Sequence, residues 1–102
     1  RQEQSGLGEA NTLQSLGDLE SLLGQVDAAR GYYRQAIALY RIEQDPMGLA
    51  YSLADLARCL SGPQEKAGRD AALAEAEGFA RASNVASVVE YVLAAIQELR
   101  AG

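Results

Sequence analysis

A period of forty residues runs through this chain without a gap, and it constrains the fold more than any other feature. Arg1, Arg41 and Arg81 stand one period apart, and their neighbours keep step: Glu3-Gln4 with Glu43-Gln44, Gly8 with Gly48, Ala10 with Ala50. Leu13, Leu53 and Leu93 form a second triple, and Leu16, Leu56 and Ile96 a third. Later in the period Ala36 matches Ala76, and Leu39 matches Phe79. A chain built this way repeats one supersecondary unit whose apolar face is covered by its neighbours. The 102 residues divide into repeats over about 5–44 and 45–84 and a partial repeat over 85–102, read together as one domain.

Within each period the pattern is helical. Leu13, Leu16, Leu19, Leu22 and Leu23 recur at steps of three and four, which puts them on one expected packed face, and Gly24 is the expected C-cap. A second helix is predicted over 26–42, with Ala29, Tyr33, Ala36, Ile37 and Tyr40 on its packed stripe. Asp45 and Pro46 read as an N-cap carboxylate followed by proline at the first helical position. Ser5 stands one period before Asp45, and Asn84 one residue ahead of the next equivalent. The remaining helices are predicted over 46–60, 63–82 and 85–99, with Ser61-Gly62-Pro63 as the breaker between the first two. Nothing alternates with period two, so the chain is expected to be all-α, with about five helices in two and a half repeats.

The unit resembles the tetratricopeptide repeat. Leu13, Leu16-Gly17, Ala29, Tyr33, Ala36 and Pro46 stand where that family places a large residue, Leu-Gly, alanine, an aromatic, alanine and a closing proline. It is similar to the longer, forty-residue form of the repeat, and the likeness covers the whole chain. It implies a right-handed α-solenoid of antiparallel helix pairs, in which Gly17 and Ala57 are small because paired helices cross there. Repeat two departs from the pattern: Ala57 replaces glycine, Gln64 the turn glycine, and Arg69 stands where Ala29 predicts alanine.

The residue inventory removes most chemistry. There is no histidine, so the commonest general base and zinc ligand are missing, and Cys59 has no second cysteine to pair with. Cys59 without a base beside it reads as a small packed residue. Gly6-Leu7-Gly8 has no preceding strand to make it a phosphate loop. Glu75 and Glu77, two apart on a helix, point to different sides, and Arg30, Arg34 and Arg41 form the only basic row. A net charge of −5 is the wrong sign for nucleic acid. The stretch from Val85 to Ile96 is too short and too polar to span a bilayer, and no signal peptide is expected within the residues given. We expect no enzyme, no metal and no cofactor. A reduced, cytoplasmic setting is the default reading, and the absent initiator methionine suggests a piece of a longer chain.

The resemblance implies that the first helix of each pair lines a concave face that binds a protein or peptide partner. The residues placed there are Asn11, Gln14, Ser15 and Asp18, then Tyr51, Ala54, Asp55 and Arg58, then Tyr91, Ala94, Ala95 and Glu98. Tyr51 and Tyr91, one period apart, either form a peptide-binding ledge or pack laterally between repeats. Some family members clamp a peptide's terminal carboxylate with lysine, arginine and asparagine. Here those positions hold Gln14, Asp18, Asp55, Arg58 and Ala95, and the acidic residues suit a polar or basic peptide better. The last helix carries Val88, Val92 and Ile96 among other apolar residues, which suggests contact with a further repeat or with another chain as a homo-oligomer. Two alternatives to a free interaction scaffold stay open: a regulatory or sensor arm of a larger signalling protein, and a self-assembling repeat segment.

Overall fold

A computed structural model describes residues 5–101, so the repeat matches at Arg1 and at Glu3-Gln4, and the expected cap by the Ser5 side chain, lie outside the described residues. Five α-helices follow one another: α1 (Ser5–Leu22), α2 (Val26–Glu43), α3 (Pro46–Arg58), α4 (Lys66–Ser83) and α5 (Ala86–Ala101), with a short 3-10 turn at Pro63–Glu65. No strand occurs among the described residues. α1 packs along α2 and α3 along α4, while α2 meets α3 and α5 meets both α3 and α4. A radius of gyration of 13.0 Å is that of a compact chain of this length.

The helix ends obey the period. Gly24 takes φ 77°, and Gln44 and Asn84, forty residues apart, take φ 56° and 61°. At the end of α2, the Gln44 and Asp45 N–H groups donate to the Arg41 and Tyr40 carbonyls, the bonding that closes a helix through a left-handed residue. Asn84 therefore ends α4 and does not open the next helix. Asp45 holds the extended N-cap backbone with Pro46 behind it, but its side chain makes no capping bond.

Close helix approach is set by pairs of one small and one large residue. A Cβ on Gly17 would stand 2.6 Å from Tyr33 Cε1, and a Cβ on Gly48 would strike the Tyr40 ring. Forty residues later the sizes shift together: Gly17 and Tyr33 give way to Ala57 and Leu73, and Gly48 and Tyr40 to Val88 and Ala80, all buried. Each pair trades bulk between its two members, so the packing repeats although the residues do not.

Repeat two ends its first helix early. α3 stops at Arg58, two residues before the sequence-based expectation, and arginines from two other helices cover the carbonyls left open. Arg30 donates from Nε and Nη2 to the Cys59 carbonyl at 3.0 and 2.7 Å, and Arg69 donates to the Leu60 carbonyl at 2.9 Å. The arginine that breaks the small-residue pattern thus serves a helix C-terminus, where cations are favoured. Glu65 links the same corner, accepting from the Gly62 N–H and from Arg30, and those bonds hold its carboxyl below the usual range.

Two expected surfaces are rearranged. Leu13 and Leu16 are half-buried, but Leu19, Leu22 and Leu23 are exposed, because α2 covers only one side of α1. Val88, Val92 and Ile96, expected to meet another chain, are buried in this chain's own core. α5 turns them inward onto α3 and α4 and presents Glu90, Leu93 and Gln97 outward. The positions forty residues earlier, Ala50, Leu53 and Ala57, are almost completely buried. Glu90 and Gln97 stand where α3 has two buried alanines, so the outward face of α5 is bulkier and more polar than the matching face of α3.

Candidate interaction groove

The three helices α1, α3 and α5 bring Asn11, Gln14, Asp18, Tyr51, Asp55, Arg58, Tyr91 and Glu98, eight of the twelve residues expected on the concave face, into one connected arrangement. Ala54 and Ala95, expected there too, are fully buried where the helices pack. Two adjoining clefts run between them, of about 330 and 350 Å³, and Asp18 lines both. Asn11, Gln14, Met47 and Tyr51 border the first; Leu22, Tyr33, Asp55, Arg58 and Tyr91 border the second.

In the first cleft, Tyr40 donates its hydroxyl to Asn11 Oδ1 and Ser52 donates to Gln14 Oε1. The Gln14 amide reaches on to Asp55 Oδ2 at 3.4 Å, a long and weak bond. Tyr51 and Tyr91 stand edge to face with centroids 4.9 Å apart, each half-buried. Their rings pack laterally against each other, and each also borders one of the two clefts.

The second cleft holds the charged groups. Tyr33 donates to Asp18 Oδ1 at 2.6 Å, and Tyr91 donates to Asp55 Oδ1. Arg58 Nη1 donates to the Tyr91 hydroxyl at 3.0 Å and lies 3.4 Å from Asp55, while Nη2 donates to Glu98 at 3.1 Å. The guanidinium carbon sits 5.1 Å from the centre of the Tyr91 ring, within cation–π range.

Burial sorts these groups. Asn11, Asp18 and Glu98 are exposed, and Gln14 and Arg58 are half-buried. Asp55, expected on the open face, is only 7% exposed. Desolvation pushes its carboxyl up from the ordinary 3.8 to about 6, and the Asp18 charge adds to the rise, against the lowering effects of the Tyr91 hydroxyl and Arg58. The Tyr33 and Tyr91 hydroxyls are pushed well above the usual phenol range, first by burial and then by the carboxylates they donate to. Cys59 is buried on the core side, and desolvation raises its thiol pKa, the opposite of an activated nucleophile.

Sequence reasoning misses the part played by Tyr33, Tyr40 and Ser52. The two tyrosines lie seven apart on a stripe of α2 that reads as packing alone. Their rings do pack, but a buried phenol needs a partner for its hydroxyl, and both reach groove residues on α1. Glu75 and Glu77 take no part: they pair with Arg41 and Arg81 on the exposed surface. Among the described residues no group of His, Cys, Asp or Glu side chains could hold a metal ion, and no helix is long and apolar enough to cross a membrane. Compared with protein-family models, curated proteins and solved structures, the chain matches none of them.

Proposed function

We propose that this chain is a tetratricopeptide-like interaction module that receives an extended segment of a partner protein along the groove of α1, α3 and α5, without chemistry of its own. The observation that carries this reading is the groove's composition. A charged carboxylate, Asp55, is kept in a nearly dry position at the meeting point of three helices, beside half-buried tyrosines and an arginine. A packing role alone would be met more stably by an apolar side chain of similar volume. Buried titratable groups gathered in a cleft mark functional sites more often than structural ones. The forty-residue period, the helix pairing and the Gly17–Tyr33 crossing support the tetratricopeptide likeness and the solenoid arrangement that goes with it.

Tyrosine walls suit this role because they offer apolar area and a hydroxyl at low entropic cost. The test is selection of peptides from a random display library on the purified protein. Each selected peptide is then measured against the wild type and against Tyr51→Ala, with the exposed Arg34→Ala on α2 as control. Binding that weakens at least about fivefold in the groove variant alone supports the reading, a loss of about 1 kcal/mol. Equal binding to all three proteins refutes it.

A further inference from the structure

The two carboxylates of the second cleft are not matched by cations. Arg58 is the cation at this cleft, and its Nη2 is committed to Glu98 at 3.1 Å while its face rests on Tyr91. Its hold on Asp55 is the long 3.4 Å approach. Asp18 has no cationic partner among the described residues; it accepts the Tyr33 hydroxyl and lies within hydrogen-bond reach of the Asp55 carboxyl. Asp18, Asp55 and Glu98 against one guanidinium leave the cleft with an excess of negative charge.

The hydrogen bonds also fix where the excess acceptor capacity lies. Tyr33 and Tyr91 each occupy the Oδ1 atom of one aspartate and so hold both carboxylates in orientation. Asp55, nine-tenths buried, accepts the distant Gln14 amide at Oδ2 and shares a hydrogen bond with the Asp18 carboxyl, while no N–H donor reaches Asp18 among the described residues. An ionised carboxylate has about four acceptor sites, so each aspartate can take further donors. The cleft is walled by the Tyr33 and Tyr91 rings, with exposed Leu22 at its rim, and its volume of about 350 Å³ exceeds what one long side chain fills. An anion would face Asp18 and Asp55; a neutral side chain would leave both charges unmatched.

We infer that the cleft between Asp18 and Asp55 seats an arginine side chain of the bound segment, its guanidinium bridging the two carboxylates and its aliphatic stem lying against Leu22. A guanidinium carries five N–H donors in a planar fork and stacks on aromatic faces, so it fits two carboxylates between two tyrosines better than an ammonium does. The inference rests on the groove reading above and adds the side-chain class that anchors the partner.

Its test uses capped tripeptides Ala-X-Ala, with X arginine, lysine, norleucine or glutamate, titrated into the protein and followed by amide chemical shifts. Arginine is expected to shift the Asp18, Ser21 and Asp55 signals saturably, with lysine weaker. Norleucine and glutamate should be at least about tenfold weaker than arginine. Asp18→Asn keeps an acceptor for Tyr33, and its urea midpoint reports that the fold is retained. It should abolish the preference for arginine, and Asp27→Asn on α2 should not. The display-selected peptides serve as a second probe, each arginine replaced in turn by norleucine. Equal shifts from arginine and norleucine, or an unchanged arginine response in Asp18→Asn, overturn the inference. If selected peptides need Tyr51 but tolerate loss of every arginine, the arginine seat fails while the groove stands. If they ignore Tyr51 as well, both fail.

Discussion

Replacing Asp55 by asparagine should make this protein more stable at neutral pH. The carboxyl pKa rises from its ordinary 3.8 to about 6 in the fold, chiefly by desolvation. A rise of that size corresponds to about 3 kcal/mol of native-state cost for the ionised form. The sign follows from proton binding: between those two values the folded state holds the proton more tightly than the unfolded state. The stabilisation from a protonated Asp55 is therefore complete below about 3.8 and is lost as the pH rises through about 6. Lowering the pH from about 7 to about 4.5 recovers about 2 kcal/mol of it.

Asparagine removes the charge at nearly the same volume. Its carbonyl can still accept from Tyr91, and Arg58 keeps Glu98 and Tyr91 as partners. The losses are the weak Gln14 bond and the long Arg58 approach, together about 1 kcal/mol, which leaves a net gain of about 1–2 kcal/mol near pH 7. Urea unfolding followed by helical circular dichroism reads both numbers. The variant should exceed the wild type near pH 7, and the advantage should vanish or reverse near pH 4.5. Titrating groups that do not touch Asp55 are common to the two proteins and cancel in the difference. A variant that is less stable near pH 7, or whose difference from wild type is the same at both values, would refute the argument that Asp55 is held charged at a cost.

Gly17→Ala should destabilise by about 1–3 kcal/mol, because the new methyl group falls 2.6 Å from the Tyr33 ring; the urea midpoint measures it, and Tyr33→Leu, which copies the Ala57 and Leu73 combination of repeat two, should recover part of the loss. Tyr91→Phe removes the hydroxyl that lowers the Asp55 pKa, so carbon-detected titration of that carboxyl should show its midpoint moving further up, with a stability loss near neutral pH of about 1–3 kcal/mol. Val92→Glu places a charge at a position with no exposure and should unfold the domain by circular dichroism; a folded, monomeric variant would instead return Val92 to an intermolecular surface. Cys59 should react with a disulfide reagent in the native protein only as fast as the fold opens, since its thiol is buried and its pKa is moved away from the thiolate.

The helices themselves are legible in the chain. Period, breakers and apolar spacing are local properties, and they locate all five elements to within a few residues. The close crossing at Gly17 is legible too, because glycine inside a helix costs stability and is kept where a neighbouring helix comes too near for a side chain. The groove positions follow from the resemblance, which makes the first helix of each pair the lining; spacing adds only that residues three and four apart on one helix share a face. Spacing fails on which side of a helix is covered. The apolar residues of α5 span more than one face, so spacing could not tell whether Val88, Val92 and Ile96 look inward or outward. On α1 the leucines run on through Leu23, yet Leu19, Leu22 and Leu23 lie off the side that α2 covers.

Local pattern thus fixes much of the backbone: the helix start at Pro46, the left-handed stop at Gly24 and the period of forty residues. These depend on φ/ψ preference and on neighbours a few residues away, which a sequence carries directly. The left-handed stops at Gln44 and Asn84 come only with the folded chain, where Asn84 closes α4 and does not open α5. The electrostatics of the groove belong to tertiary structure alone. Arg69 has the composition of a surface residue until the Leu60 carbonyl is found beside it. Asp55 reads as one more acidic side chain until α1, α3 and α5 close around it and take away its water. Desolvation and charge pairing depend on which atoms surround a group in space, and residues as far apart as Gln14, Asp55 and Tyr91 become neighbours only when the helices pack.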